Sequence, residues 1–217
     1  MASKKKSGLH SLRHDFGGHT NNYANAWITF DSKAHDFVAE PLFVGKVSIL
    51  MEPKLDANGQ PLPQQTFWGL DAWEVDTASR RLAGIRIRPD GEISYFSGNV
   101  TAWVVVDGVK AKQNEWNDIE LWLDYRTRET YGVVNGTRIN FDYRYNDLVN
   151  KNPWLIPLDS SGKPYKVGEF DIYSRVGSSN ARSVAYFDDY SVQAVPEPTT
   201  LSALALFMLA FAKKRRK

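Results

Sequence analysis

The chain has 217 residues and no cysteine, which excludes disulfides, thiolate metal sites and a cysteine nucleophile. Its net charge of +2 is unevenly spread: residues 1–14 and 195–217 each carry +4, which leaves −6 on the body between them. An acidic body excludes nucleic acid as a partner, because no basic face remains to neutralise phosphates.

Residues 1–16 read as a flexible basic arm. Residues 17–194, roughly 180 of them, read as one domain large enough to bury its own core. Within the arm, His10 and His14 have an i, i+4 spacing, but Gly8, Gly17 and Gly18 flank them and no helical pattern supports a metal pair; His19 and His35 complete the histidine set. The first 26 residues hold Lys4-Lys5-Lys6 without an apolar core, since Leu9, Leu12 and Phe16 are scattered among polar residues.

Alternation with a period of two then dominates. Strands are expected at 26–30, 42–51 (ended by Pro53), 66–75 and 82–88. Pro89-Asp90-Gly91 is a tight turn into a strand at 92–96, which makes a hairpin. In the strand beginning at Trp116, Asn117, Ile119, Leu121 and Leu123 fall on one face, and Trp116, Asp118, Glu120, Trp122 and Asp124 on the other. Residues 129–134 return, Asn135-Gly136 is a type I′ turn signal, and 137–141 leads out again. Further strands are expected at 168–174 and 184–194, and 146–152 has room for one helical turn. No stretch holds a helical period over three turns, and turn signals recur every eight to twelve residues, the pattern of a sandwich or barrel. The fold class is therefore all-β, an antiparallel β-sandwich. The density of aromatics, with 7 Trp, 10 Tyr and 11 Phe, suits it.

Residues 195–217 form a separate terminal segment. Val195-Pro196-Glu197-Pro198 cannot continue a strand or helix. An apolar run of helix formers follows at 199–212, then Lys213, Lys214, Arg215, Arg216 and Lys217. As a helix the run would span roughly 21 Å against a bilayer core of about 30 Å, with the lysines snorkelling. The cations favour the cytoplasmic side, leaving the body outside. This arrangement resembles the PEP-CTERM sorting signal of exported proteins in Gram-negative bacteria. The resemblance implies a C-terminal hydrophobic helix in the inner membrane before processing, an exosortase-type membrane enzyme as partner, and a cell-envelope or extracellular location afterwards. It also implies a secretory leader, so the true start is expected upstream of Met1.

The body carries a second resemblance. Trp116, Leu121-Trp122-Leu123-Asp124-Tyr125, Tyr131 and Val134-Asn135-Gly136, followed by Phe187-Asp188-Asp189-Tyr190-Ser191-Val192, look like the concanavalin A-like lectin/glucanase superfamily, especially its laminin-G-like jelly rolls. That implies a jelly roll whose last strand returns beside the first. Related retaining glucanases carry Glu, Asp and Glu at alternating strand positions; here Asn117 and Ile119 stand where the Asp and second Glu belong, so no catalytic residue is assigned. Trp116, Asp118, Glu120, Trp122 and Asp124 are instead the expected glycan-binding face: an aromatic platform stacks on sugar C–H faces and carboxylates accept hydroxyl hydrogens. The alternative for that face is a solvated strand surface. Asp31 and Asp189 are expected to share a calcium ion if the first and last strands pair. The whole reads as an exported glycan-binding protein without catalysis; a glycoside hydrolase or polysaccharide lyase on the same fold, and a purely structural matrix protein, are the alternatives.

Overall fold

In the computed structural model the alternating segments become twelve strands. The structure describes residues 6–7, 11–15, 23–29, 31–53, 55–59, 66–76, 79–99, 101–139, 154–176 and 184–196. The strands are β1 (Leu12–Asp15), β2 (Tyr23–Thr29), β3 (Leu42–Glu52), β4 (Thr66–Glu74), β5 (Arg80–Ile87), β6 (Ile93–Ser97), β7 (Ala102–Val105), β8 (Trp116–Asp124), β9 (Glu129–Val134), β10 (Thr137–Arg138), β11 (Glu169–Val176) and β12 (Val184–Val195). They build two antiparallel sheets, sheet A in the order β1-β12-β3-β8-β9-β10 and sheet B in the order β2-β11-β4-β5-β6-β7. No helix occurs among the described residues. The tail from Glu197 to Lys217, its expected helix, the turn at 146–152, and His10 and His19 lie outside them.

Two expectations are corrected. The last strand does not return beside residues 26–30: β12 lies between β1 and β3 in sheet A, whereas β2 pairs with β11 in sheet B. The segment read as a free arm supplies β1, with Leu12 opposite Phe187 and Asp15 opposite Val184. A long strand such as β12 has backbone donors and acceptors along both edges, and β1 satisfies the edge that β3 leaves open. β7 was not expected from the sequence.

The hairpins form as the turn residues dictate. Arg88 N donates to Glu92 O at 2.9 Å and Gly91 takes φ 83°, closing β5 onto β6. Asn135 and Gly136 have φ 50° and 77°, and both positive values are what a type I′ turn needs. Between the sheets lies one core of Phe43, Val47 and Ile49 from β3, Ile119, Leu121 and Leu123 from β8, Trp68 and Leu70 from β4, Ile85 and Ile87 from β5, and Phe170 and Ile172 from β11. Strict alternation then fixes what each sheet turns outward.

Candidate functional site

The outward face of sheet A holds the residues expected to bind glycan, and it places them where their polar groups are already occupied. Glu120 uses one oxygen for Lys46 Nζ at 3.0 Å and the other for Trp122 Nε1 at 2.7 Å. The Trp122 ring stacks on Tyr131, 5.7 Å between centroids and 7° from parallel, and the Lys46 ammonium sits 5.6 Å from its centroid. Arg138 covers Tyr131 at 4.1 Å. Asp118 accepts from Ser48 Oγ at 2.7 Å and from the Lys6 ammonium; burial alone would raise its carboxyl, but these bonds hold it below the usual range. Asp124 is buried at the strand end and clamped by Arg126, Nη2 2.8 Å and backbone N 2.9 Å away. Trp116 is half-buried.

The pairing on which a shared calcium site depended is not formed. Asp31 follows β2, in the other sheet, and its Oδ1 caps the backbone N–H groups of Lys33 and Ala34 at 2.9 and 3.2 Å. Asp189 sits in a bulge of β12 at φ 53° and accepts from the Ser7 hydroxyl, while Asp188 accepts from the Lys6 and Ser7 backbone at 2.9 and 3.0 Å. The acidic pair thus anchors the N-terminal segment. Val195 ends β12 and Pro196 follows it.

Sheet B turns a different surface outward. Because Trp68, Leu70 and Ala72 of β4 point into the core, Phe67, Gly69, Asp71 and Trp73 face out. Register carries the pattern sideways. Asp71 lies opposite Asp171 of β11 and Gly84 of β5, Gly69 opposite Tyr173 and Arg86, and Trp73 opposite Glu169 and, past a bulge, Arg81. Asp171 lies opposite Trp27 of β2, Arg86 opposite Ser94 of β6, and Phe96 of β6 opposite Trp103 of β7. One face of six strands therefore gathers arginines, carboxyls and large rings.

Two glycines make the depth. A Cβ on Gly84 would stand 2.1 Å from Asp71 Oδ1 and 3.3 Å from Trp103, so the carboxyl lies down on the bare backbone beneath the indole. A Cβ on Gly69 would stand 2.2 Å from Ile85 O and 2.7 Å from the Tyr173 ring. Asp71 is wholly buried and ion-paired with Arg81 Nε at 2.8 Å. Burial pushes its carboxyl up to about 7, with Arg81 opposing. The Arg81 guanidinium lies 4.8 Å from the Trp73 centroid, 5.0 Å from Phe96, 5.3 Å from Trp103 and 5.8 Å from Tyr173. Arg86 lies 4.1 Å from the Phe67 centroid and 4.2 Å from Trp103. Glu169 and Asp171 stand two positions apart on this face of β11. Burial, then the partner, raises Glu169 to about 7, and burial raises Asp171 as well. Asn25 Nδ2 donates to Asp171 Oδ2 at 3.4 Å. Trp27 is 56% exposed at the edge of this face.

Sequence reasoning missed this face. One signal was available: Glu169-Phe170-Asp171-Ile172-Tyr173 places Glu and Asp at alternating positions, the pattern sought at 115–120, with Tyr173 in the third place. The remainder is contributed one or two residues per strand.

No known family profile matches the chain, and no curated protein matches it in sequence. Among solved structures it is similar to a sialidase, TM-score 0.52 at 9% identity over 85% of this chain and 15% of that one. It is also similar to alginate lyase A1-II′, a member of polysaccharide lyase family 7, at 0.48 and 13% over 72% and 63% of the two chains. A tetrameric galectin from the ball sponge Cinachyrella sp. gives 0.42 and 15% over 79% and 99%. The chain thus spans a small part of the sialidase and less than two thirds of the lyase. At 9% identity the likeness to the sialidase shows the fold alone, in keeping with the antiparallel jelly-roll β-sandwich that the two sheets build, and leaves function to the site.

Proposed function

We propose that the protein binds glycan through the outward face of sheet B. The observation that carries this reading is the burial of Asp71, Asp171 and Tyr173, with half-buried Arg81, among Phe67, Trp73, Phe96 and Trp103, with the Trp27 indole exposed beside them. Rings give sugar C–H faces a platform, and fixed polar groups between them select hydroxyls. The sheet A residues, by contrast, satisfy one another. Binding of the full chain to an immobilised polysaccharide panel tests the reading. Trp27→Ala, at an exposed position that leaves the core intact, is expected to weaken binding about tenfold, near 1.4 kcal/mol. Absence of binding to every glycan would support the structural-protein alternative instead.

A second reading, glycan processing, is favoured by the two carboxyls that β11 sets on this face, Glu169 and Asp171, since a carboxyl whose hold on its proton is raised by burial suits general acid catalysis. Release of new chain ends from polysaccharides, abolished by Glu169→Gln, would establish it; inert polysaccharides leave binding alone.

We infer that the segment 195–217 sorts the protein to the envelope through an exosortase-type enzyme. Its proline stop, apolar run and cationic end support this. A full-length form in the membrane fraction that converts to a shorter product is the expected result. A polypeptide found intact in the cytosolic fraction overturns it.

A further inference from the structure

We propose, resting on the reading of sheet B as a glycan face, that this face selects an anionic sugar residue and that Arg86 holds its charge. β5 presents Arg81 and Arg86 on one side of the sheet, and Arg88 follows its last residue. The outer two are committed: Arg81 to Asp71 at 2.8 Å, and Arg88 to Glu92 at 2.9 Å. Arg86, between them, has no ion-pair partner among the described residues. Phe67 from β4 and Trp103 from β7 approach its guanidinium from opposite sides of β5, at 4.1 and 4.2 Å. Rings hold a guanidinium by its flat surfaces, which leaves the N–H edge for recognition.

The charges around that edge are mixed: Arg88 repels the guanidinium, while Tyr173 and Glu92 favour it. Arg86 Nε and Arg88 Nε are buried without a hydrogen bond. Ser94, the cross-strand neighbour of Arg86, is 1% exposed and its hydroxyl has no partner. An acceptor-only group with two oxygens, the carboxylate of a uronic acid or a sulfate ester on a sugar, fits a guanidinium edge in bidentate fashion and also supplies the charge that half-buried Arg86 lacks. A neutral sugar hydroxyl accepts less strongly and leaves the cation unbalanced. Burial also pulls the affinity of Arg86 for its own proton down, a penalty that a bound anion relieves.

The test is titration of the full chain with polygalacturonate, a sulfated galactan and a neutral β-glucan at low and high salt. An acidic polymer is expected to bind at least about tenfold tighter than the neutral one, with affinity falling as salt rises. Whichever acidic polymer binds tells uronate from sulfate ester. Arg86→Gln is expected to reduce acidic binding to the neutral level, and Arg86→Lys, which keeps charge but loses the planar fork, to fall between. Ser94→Ala, a change that removes one hydroxyl from a buried site, is expected to weaken acidic binding several-fold. Equal binding of the three polymers, or acidic binding indifferent to Arg86→Gln and Ser94→Ala, overturns the assignment and leaves the glycan face standing. Failure to bind any of a broad glycan panel overturns both.

Discussion

The two outward faces of the sandwich are made from the same residue types and behave oppositely. On sheet A, Lys46, Glu120 and Trp122 satisfy one another at 2.7–3.0 Å, half in solvent. On sheet B, Asp71, Asp171 and Ser94 are almost wholly buried; Asp71 Oδ2 meets Arg81 and Asp171 Oδ2 meets Asn25, while Asp71 Oδ1, Asp171 Oδ1 and Ser94 Oγ have no hydrogen bond among the described residues. Water and lateral pairing finish the first face. The second keeps several polar atoms away from water, and burial of unpaired polar groups is a cost to the fold. Charge and aromatic content alone therefore do not mark a site; the state of their hydrogen bonds does.

That contrast can be broken most forcefully at Asp71. Its carboxyl titrates near 7 in the fold but from 3.8 in the unfolded chain. The native state binds this proton more tightly, so the contribution to stability is complete below about pH 4, falls as pH rises towards about 7 and is level above. Asp71→Asn, which cannot ionise, is expected to remove that slope. The gap between wild-type and variant unfolding free energies should change by a few kcal/mol across the window, measured by urea denaturation at several pH values. A gap constant with pH would mean that Arg81 keeps Asp71 ionised. Next in size, Gly69→Ala drives a Cβ to 2.2 Å from a backbone oxygen under Tyr173, and should cost about 2–3 kcal/mol and abolish glycan binding. Smallest is the sheet A control. Glu120→Gln should shift stability by less than about 1 kcal/mol and leave glycan binding unchanged; a large loss of binding there would return the site to sheet A.

Much of the sandwich was legible because its central strands alternate cleanly. Leu42–Glu52, Trp116–Asp124 and the Asn135-Gly136 hairpin follow from side-chain period and turn chemistry. β1 and β7 were not legible, since Leu-Arg-His-Asp and Ala-Trp-Val-Val are four residues each and owe their extended form to the neighbours they pair with. The acids and tryptophans of β8 stood out because they lie together in one strand. The sheet B face is assembled by register: Asp71, Arg86, Trp103 and Asp171 are separated in the chain and meet because β4, β5, β7 and β11 share a sheet. Linear spacing carries no record of register across strands that are distant in sequence, so only Glu169 and Asp171, two positions apart, left a trace.

The strand order also dictates when the protein can finish forming. β12 fills the gap between β1 and β3, and β11 the gap between β2 and β4. Sheet B therefore stays split until β11 has been made, and sheet A until β12 has. Until Val176 emerges β4 lacks a neighbour, and until Val195 emerges β3 does, each offering a bare ladder to any passing strand. Such late closure makes for slow maturation dominated by distant pairings, and for a nascent chain that needs shielding for nearly the whole of its synthesis.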